Sequence, residues 1–227
     1  MFPNTQMIPL FPLDVVLFPG MVLPLHVFEL RYRKMIRDCL SQGEPFGLIW
    51  AEDEPVKLSP NQPLIGTKAI MTSVTTLPDG RFQINTVGSE RFLVRQLLNH
   101  QPYLVGSVEP YPSLEADTDE ALSYLPTLNH LFQRYLELLS EAAQQNISID
   151  PIPDDPTTLA FVVATLYQGQ NWRKQQLLSV KSIPDLMRIE INLLKIENPL
   201  VEQMLQHQKM GTISPLIMGS LAMYGFN

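Results

Sequence analysis

Apolar positions along this chain follow two rhythms. Over the first 112 residues they come in short runs broken by proline, and 13 of the 20 prolines fall there. Proline gives a sheet no ladder donor, so this half is expected to hold short strands, strand ends and turns. QMIPLFPL, DVVLFPG and MVLPLH (6–26) read as edge strands or strand ends, with Pro19-Gly20 as a tight turn. A helix follows, because Phe28, Tyr32, Met35, Ile36, Cys39 and Leu40 recur at spacings of three and four and Gly43 suits its exit. FGLIW (46–50) is a short buried strand, and the acidic, proline-rich stretch 51–65 an exposed loop or lid. GTKAIMTSVTTL, the turn Pro78-Asp79-Gly80 and RFQINTVG form the clearest hairpin signal. RFLVRQLL and YLVGSVEPY bring the total to about six or seven strands by residue 111.

Beyond residue 113 the period becomes helical. SLEADTDEA reads as an acidic linker leading into a helix whose stripe is Leu125, Leu128, Phe132, Tyr135, Leu139 and Ala142, with Pro126 at its start or at a kink. Asp155-Pro156 opens LAFVVATLY, apolar nearly all round and therefore expected at the centre of a bundle. Asn171 is placed to cap a third helix, WRKQQLLSV. Ser182 is placed to cap a fourth, carrying Leu186, Ile189, Leu193 and Ile196, which Asn198-Pro199 should end or bend. The divisions expected are 1–112, strand-rich with one helix; 113–209, a helical bundle; and 210–227, an uncharged apolar tail.

Charge and composition narrow the function classes. The chain has 16 basic and 23 acidic residues, a net charge of −7. Without a Lys/Arg run it is poorly suited to neutralising phosphates, so nucleic acid is a disfavoured partner. No apolar run approaches the ~18 residues of a membrane span, and four early prolines with Asp14 break any signal-peptide core, so a soluble, cytoplasmic protein is expected. The single cysteine, Cys39, excludes an intrachain disulfide and reads as a buried, inert thiol. GxxxxGK[ST], HExxH, GxSxG and GxGxxG are absent, and the four histidines lack metal-ligand spacing. Glu52-Asp53-Glu54 reads as a solvated loop before it reads as a cation site. No catalytic residue, cofactor or metal is expected.

The string IPLFPLDVVLFPGMVLPLHVFELRYRKMI (8–36) resembles the opening of the Lon substrate-binding domain, the N-terminal domain of Lon proteases. It is most similar to stand-alone bacterial and plastid-type members, with Phe28, Glu29, Arg31 and Tyr32 at the helix start. Asp79-Gly80, Gly88 and Arg91-Phe92 continue the likeness, which reaches about residue 197; Thr67, where the family often has cysteine, and Asp185, where it often has arginine, depart from it. The resemblance implies an α+β fold: a PUA-like β-pseudobarrel followed by a C-terminal α-helical bundle. It also implies a role in engaging polypeptides, with ATPase and Ser–Lys protease domains found in the full proteases and not expected here.

The expectation is thus a non-catalytic module that holds unfolded or client polypeptides in an apolar groove between barrel and bundle, or adapts them to a separate ATP-dependent protease. Rival readings are a regulatory or assembly protein docking a folded partner through its tail, with self-association through that tail, and a small enzyme or RNA binder on a PUA-like fold. Phe28 and Phe92 are expected in the core. Phe18 and Met21, beside the Pro19-Gly20 turn, are candidate exposed contacts for a bound chain, with burial against the helical bundle as an equal alternative. Glu29, Arg31 and Tyr32 are candidates from the motif, and Met218 and Met223 from the tail, where methionine offers adaptable apolar contact.

Overall fold

The strands are β1 (Gln6–Leu13), β2 (Val22–Val27), β3 (Phe46–Trp50), β4 (Ile65–Thr76), β5 (Phe82–Leu98) and β6 (Leu104–Pro110). The helices are α1 (Leu30–Gln42), α2 (Asp119–Ala143), α3 (Pro156–Leu166), α4 (Asn171–Ser179) and α5 (Ile183–Lys209). This computed structural model describes residues 5–52, 55–59, 62–98 and 102–209. The chain divides into two units, the first made of 1–112 with 170–179, the second of 113–169 with 180–227. The fold is α+β.

The first unit is a sheet closed on itself. β1 pairs with β3 in parallel and every other ladder is antiparallel, in the order β2-β5-β4-β3-β1-β6, with β5 also pairing β6. The two expected strands RFQINTVG and RFLVRQLL are one 17-residue strand, β5, which bends at bulges opposite β4 and β6 and so closes the ring. Inside lie Phe11, Tyr32, Met35, Ile36, Phe46, Leu48 and Ile84, with a second cluster around Ile8, Leu10, Ile49 and Phe92. Residues 14–20, expected to include a strand, make none. Val16, Leu17 and Phe18 are nonetheless buried, and the Thr67 hydroxyl donates to the Leu17 carbonyl at 2.6 Å.

Helix α4 joins this unit, although its place in the sequence suggested the bundle. Arg91 donates to the Leu178 carbonyl at 2.7 Å, Tyr111 to the Ser179 carbonyl at 2.9 Å, and Gln175 to the Ile65 carbonyl at 2.8 Å. A cation and a hydroxyl thus satisfy carbonyls that the end of α4 leaves open. Burial draws the Arg91 guanidinium down to about 10, still charged at neutral pH. Asn171 does not cap α4; its amide donates to the Asp14 carbonyl at 2.9 Å, and Gln170 accepts from the first helical N–H groups.

In the second unit α2 and α5 run side by side in the same direction. Asn198 donates to the Leu131 carbonyl, Arg134 pairs with Glu202 and Lys209 with Glu141, at 3.0, 2.7 and 2.7 Å. Asp155 caps α3 through both carboxylate oxygens, and Leu159, Ala160, Phe161, Val163 and Ala164 are buried, as the all-round apolar segment required. Pro199 does not end α5, which continues for ten residues to Lys209. An interior proline costs about 3 kcal/mol. The Asn198 bond on one side and the packing of Val201, Met204 and Leu205 on Leu138 and Ala142 on the other offset it. Within α5, Glu190 is wholly buried and neither carboxylate oxygen has a hydrogen-bond partner, so burial pushes its acidity well above the usual carboxylate range.

Two outcomes follow. A Cβ on Gly88 would run into the Phe18 carbonyl, so Gly88→Ala should cost about 2 kcal/mol and lower the Tm by roughly 5 °C in a thermal melt. Native Glu190 keeps a proton that the unfolded chain releases above about 4.5, so its contribution to stability falls as pH rises from there. Glu190→Met should therefore raise the Tm more at pH 8 than at pH 5, and an equal gain at both would contradict it.

Candidate binding surface

Strand β2 has one edge that no described residue pairs. Among the described residues it pairs only with β5, in the register Val22↔Val87, Pro24↔Asn85 and His26↔Gln83. The Gly88 N–H donates to the Met21 carbonyl at 2.9 Å. Backbone direction alternates along a strand, so Leu23, Leu25 and Val27 also turn their backbone groups to β5, and Val22, Pro24 and His26 turn theirs to the open side. Pro24 has no N–H, so the edge offers acceptors at all three positions and donors only at Val22 and His26.

The outer face of the same strands carries an apolar row. Val22 lies opposite Val87, and Val87 opposite Ile70 on β4. Residues directly opposite in antiparallel ladders project from the same face with Cβ atoms about 5 Å apart. Val22 is 63% exposed and Ile70 48% exposed. Ile70 also lines a groove of about 520 Å³ with Leu40, Met71, Pro45 and the Lys68–Glu90 pair, whose charges are 3.0 Å apart. At the other end of β2 the alternation that exposes Val22, Pro24 and His26 continues to Phe28, 61% exposed, with its ring 6.1 Å from that of His26. Uncharged Asn85, Gln83, Ser73 and Thr75 lie between the two apolar ends.

The profile of the ATP-dependent protease La (LON) substrate-binding domain matches residues 7–195. The chain belongs to the Lon substrate-binding domain family. Lon protease 2 of Desulfotalea psychrophila is 26% identical over 202 residues, 87% of this chain and 26% of that protein. The Lon protease of Buchnera aphidicola subsp. Acyrthosiphon pisum is 28% identical over 202 residues, 84% of this chain and 26% of that protein. The chain thus spans about a quarter of the length of these relatives. The N-terminal domain of Mycobacterium avium complex Lon protease shares the fold at a TM-score of 0.64 and 22% identity, covering 84% of this chain and 98% of that one. A Lon N-terminal domain protein from Xanthomonas campestris does so at 0.58 and 23%, covering 81% and 95%.

In this Lon-type domain the expected contact residues divide sharply. Phe18 is wholly buried and Met21 half-buried against the core. Their turn does not project, because Gly20 N–H to the Gly88 carbonyl (2.8 Å) and Gly88 N–H to the Met21 carbonyl pin it against β5. Tyr32 is buried too, its ring 4.2 Å from that of Phe11 in the core. Glu29 and Arg31 pair at 3.0 Å at the start of α1, with the guanidinium 4.5 Å over the Tyr32 ring. That arrangement orders the helix entry. Phe28, expected in the core, is on the surface, whereas Phe92 is in the core. Met218, Met223, Asp53, Glu54 and His100 lie outside the described residues. The outward face of Val22 is not legible locally, because VLPLHV is apolar on both faces and only the register shows which positions face outward, and Leu40, on the apolar stripe expected for α1, is 43% exposed.

Among the described residues no group of three His, Cys, Asp or Glu side chains could hold a metal ion, and no helix is long and apolar enough to cross a membrane. Cys39 sits on the buried side of α1, and burial, with Asp38 and Glu44 nearby, pushes its thiol up to about 11. Two units above an ordinary thiol mean roughly a hundredfold less thiolate at neutral pH. Native protein at pH 7.5 should leave Cys39 unalkylated by iodoacetamide while urea-unfolded protein reacts fully, as read by intact mass.

Proposed function

We propose that this domain binds extended, unfolded polypeptide segments along the open edge of β2 and catalyses no reaction of its own. The observation that carries the reading is the apolar row Val22–Val87–Ile70 ending at unpaired backbone groups, so main-chain and side-chain recognition are offered together. Membership of a substrate-binding family supports it.

The edge from Val22 to Phe28 covers about 20 Å at ~3.3 Å per residue, the length of a seven-residue segment. Such a client would place apolar side chains near its two ends, one over Val22 and Ile70 and one against Phe28, with uncharged residues between. A few hundred Å² of apolar burial supplies on the order of 5 kcal/mol, close to the cost of association, so single segments bind weakly and several in one unfolded chain bind better. A weak, sequence-tolerant grip suits an adaptor that hands clients to a separate ATP-dependent protease.

Anisotropy of a dye-labelled, permanently unfolded polypeptide should rise at tens of micromolar protein. Val22→Asp with Ile70→Asp should weaken binding at least tenfold without changing the circular dichroism spectrum. Pro24→Ala, which restores an outward N–H, should tighten it. Wild-type affinity in the double variant would remove the surface from consideration, and no tightening by Pro24→Ala would remove strand addition.

A further inference from the structure

Strand β2 has the composition of an edge that pairs with its own copy. VLPLHVF (22–28) carries no lysine, arginine or acidic residue, and its ladder with β5 runs from Val22 to Val27 without a bulge. Charge, bulges, a covering element and proline are the usual means by which a strand edge refuses a like edge. Among the described residues Pro24 is the one such device that β2 carries. The strand also has the pattern that its own surface suits: Val22 and Phe28 are exposed at its two ends, with Pro24 and His26 between them. A second β2 laid antiparallel about a two-fold axis at Pro24 sets each Val22 opposite the His26 of the other copy, so the side chains present no obstacle.

Resting on the open-edge reading of the binding surface, we infer that Pro24 is its specificity determinant, admitting a foreign chain and excluding a second copy. Val22, Pro24 and His26 turn their backbone groups outward, and a residue facing any of them in a complete antiparallel ladder exchanges a donor and an acceptor with it. A client residue facing Pro24 finds no N–H, so one carbonyl of the client goes unmet. A second copy brings its own proline, so a carbonyl goes unmet on each side, whatever the two-fold register that draws Pro24 into the ladder. In the register centred on Pro24 both losses fall on the same pair, the two rings face each other, and only the end pairs hold. At about tenfold in affinity for each carbonyl left unmet, a client loses about tenfold and a second copy roughly a hundredfold. The same proline thus costs self-pairing twice what it costs client binding, in free energy, without placing a charge on the edge that would limit which clients it takes.

Sedimentation velocity of the full chain, with circular dichroism to check the fold, reads the difference. At about 300 µM, Pro24→Ala and Pro24→Thr should each form a dimer, self-associating roughly a hundredfold more tightly than the unaltered protein. In that dimer the amides of Val22 and His26 should gain protection from hydrogen exchange. Adding Val22→Lys, which sets a charge on the edge, should return both variants to the behaviour of the unaltered protein. Unchanged self-association in both Pro24 variants would overturn the assignment, as would a dimer that survives Val22→Lys. The two readings of this edge fail separately: a dimer of the Pro24 variants without client binding would sink the client reading alone, and client binding without the dimer would sink the role of Pro24 alone.

Discussion

Closure of the first unit rests on one strand being long enough to serve three neighbours. β5 lies against β4 along most of its length, against β2 with its first half and against β6 with its second. A flat 17-residue strand could not do this. The bulges opposite β4 and β6 bend it, and the bend lets β6 meet β5 while also pairing β1. Among the described residues the same geometry gives β2 one neighbour, β5, so the open edge is a by-product of how the ring closes. Gly88 sits where β5 passes the chain entering β2, and its missing side chain admits the Phe18 carbonyl. Closure, the inward fold of the Pro19-Gly20 turn and exposure of the β2 edge therefore share one cause.

Much of the fold could be read from the residues. The hairpin through Asp79-Gly80, the helix ending at Gly43, the Asp155 cap and the all-apolar α3 each combine a local conformational demand with a matching burial pattern. What could not be read depends on distant partners. Nothing local to RFLVRQLL says it continues the preceding strand, and nothing local to Pro199 says that α2 will hold both sides of it. Nor does WRKQQLLSV reveal that Arg91 and Tyr111 await its last carbonyls.

The surface was less legible than the core for a related reason. Tight turns suggest projection, and Phe18 and Met21 beside one looked accessible; two backbone hydrogen bonds to Gly88 reverse that inference. Conversely, a motif phenylalanine suggests burial, yet Phe28 follows the strict alternation of β2 one step past its end and emerges beside His26. Face assignment in a strand apolar at nearly every position is a property of pairing register, and register is a long-range fact.

The passage of the chain through α4 has a practical corollary. The polypeptide leaves the first unit after Pro112, returns to it at Gln170 and departs again after Ser179. A fragment cut at residue 112 would look like a complete barrel on paper, yet it would lack the helix whose carbonyls Arg91 and Tyr111 hold and whose Gln175 reaches the Ile65 carbonyl. Dissection at the obvious seam would therefore strand a buried cation, because the first unit is discontinuous in sequence.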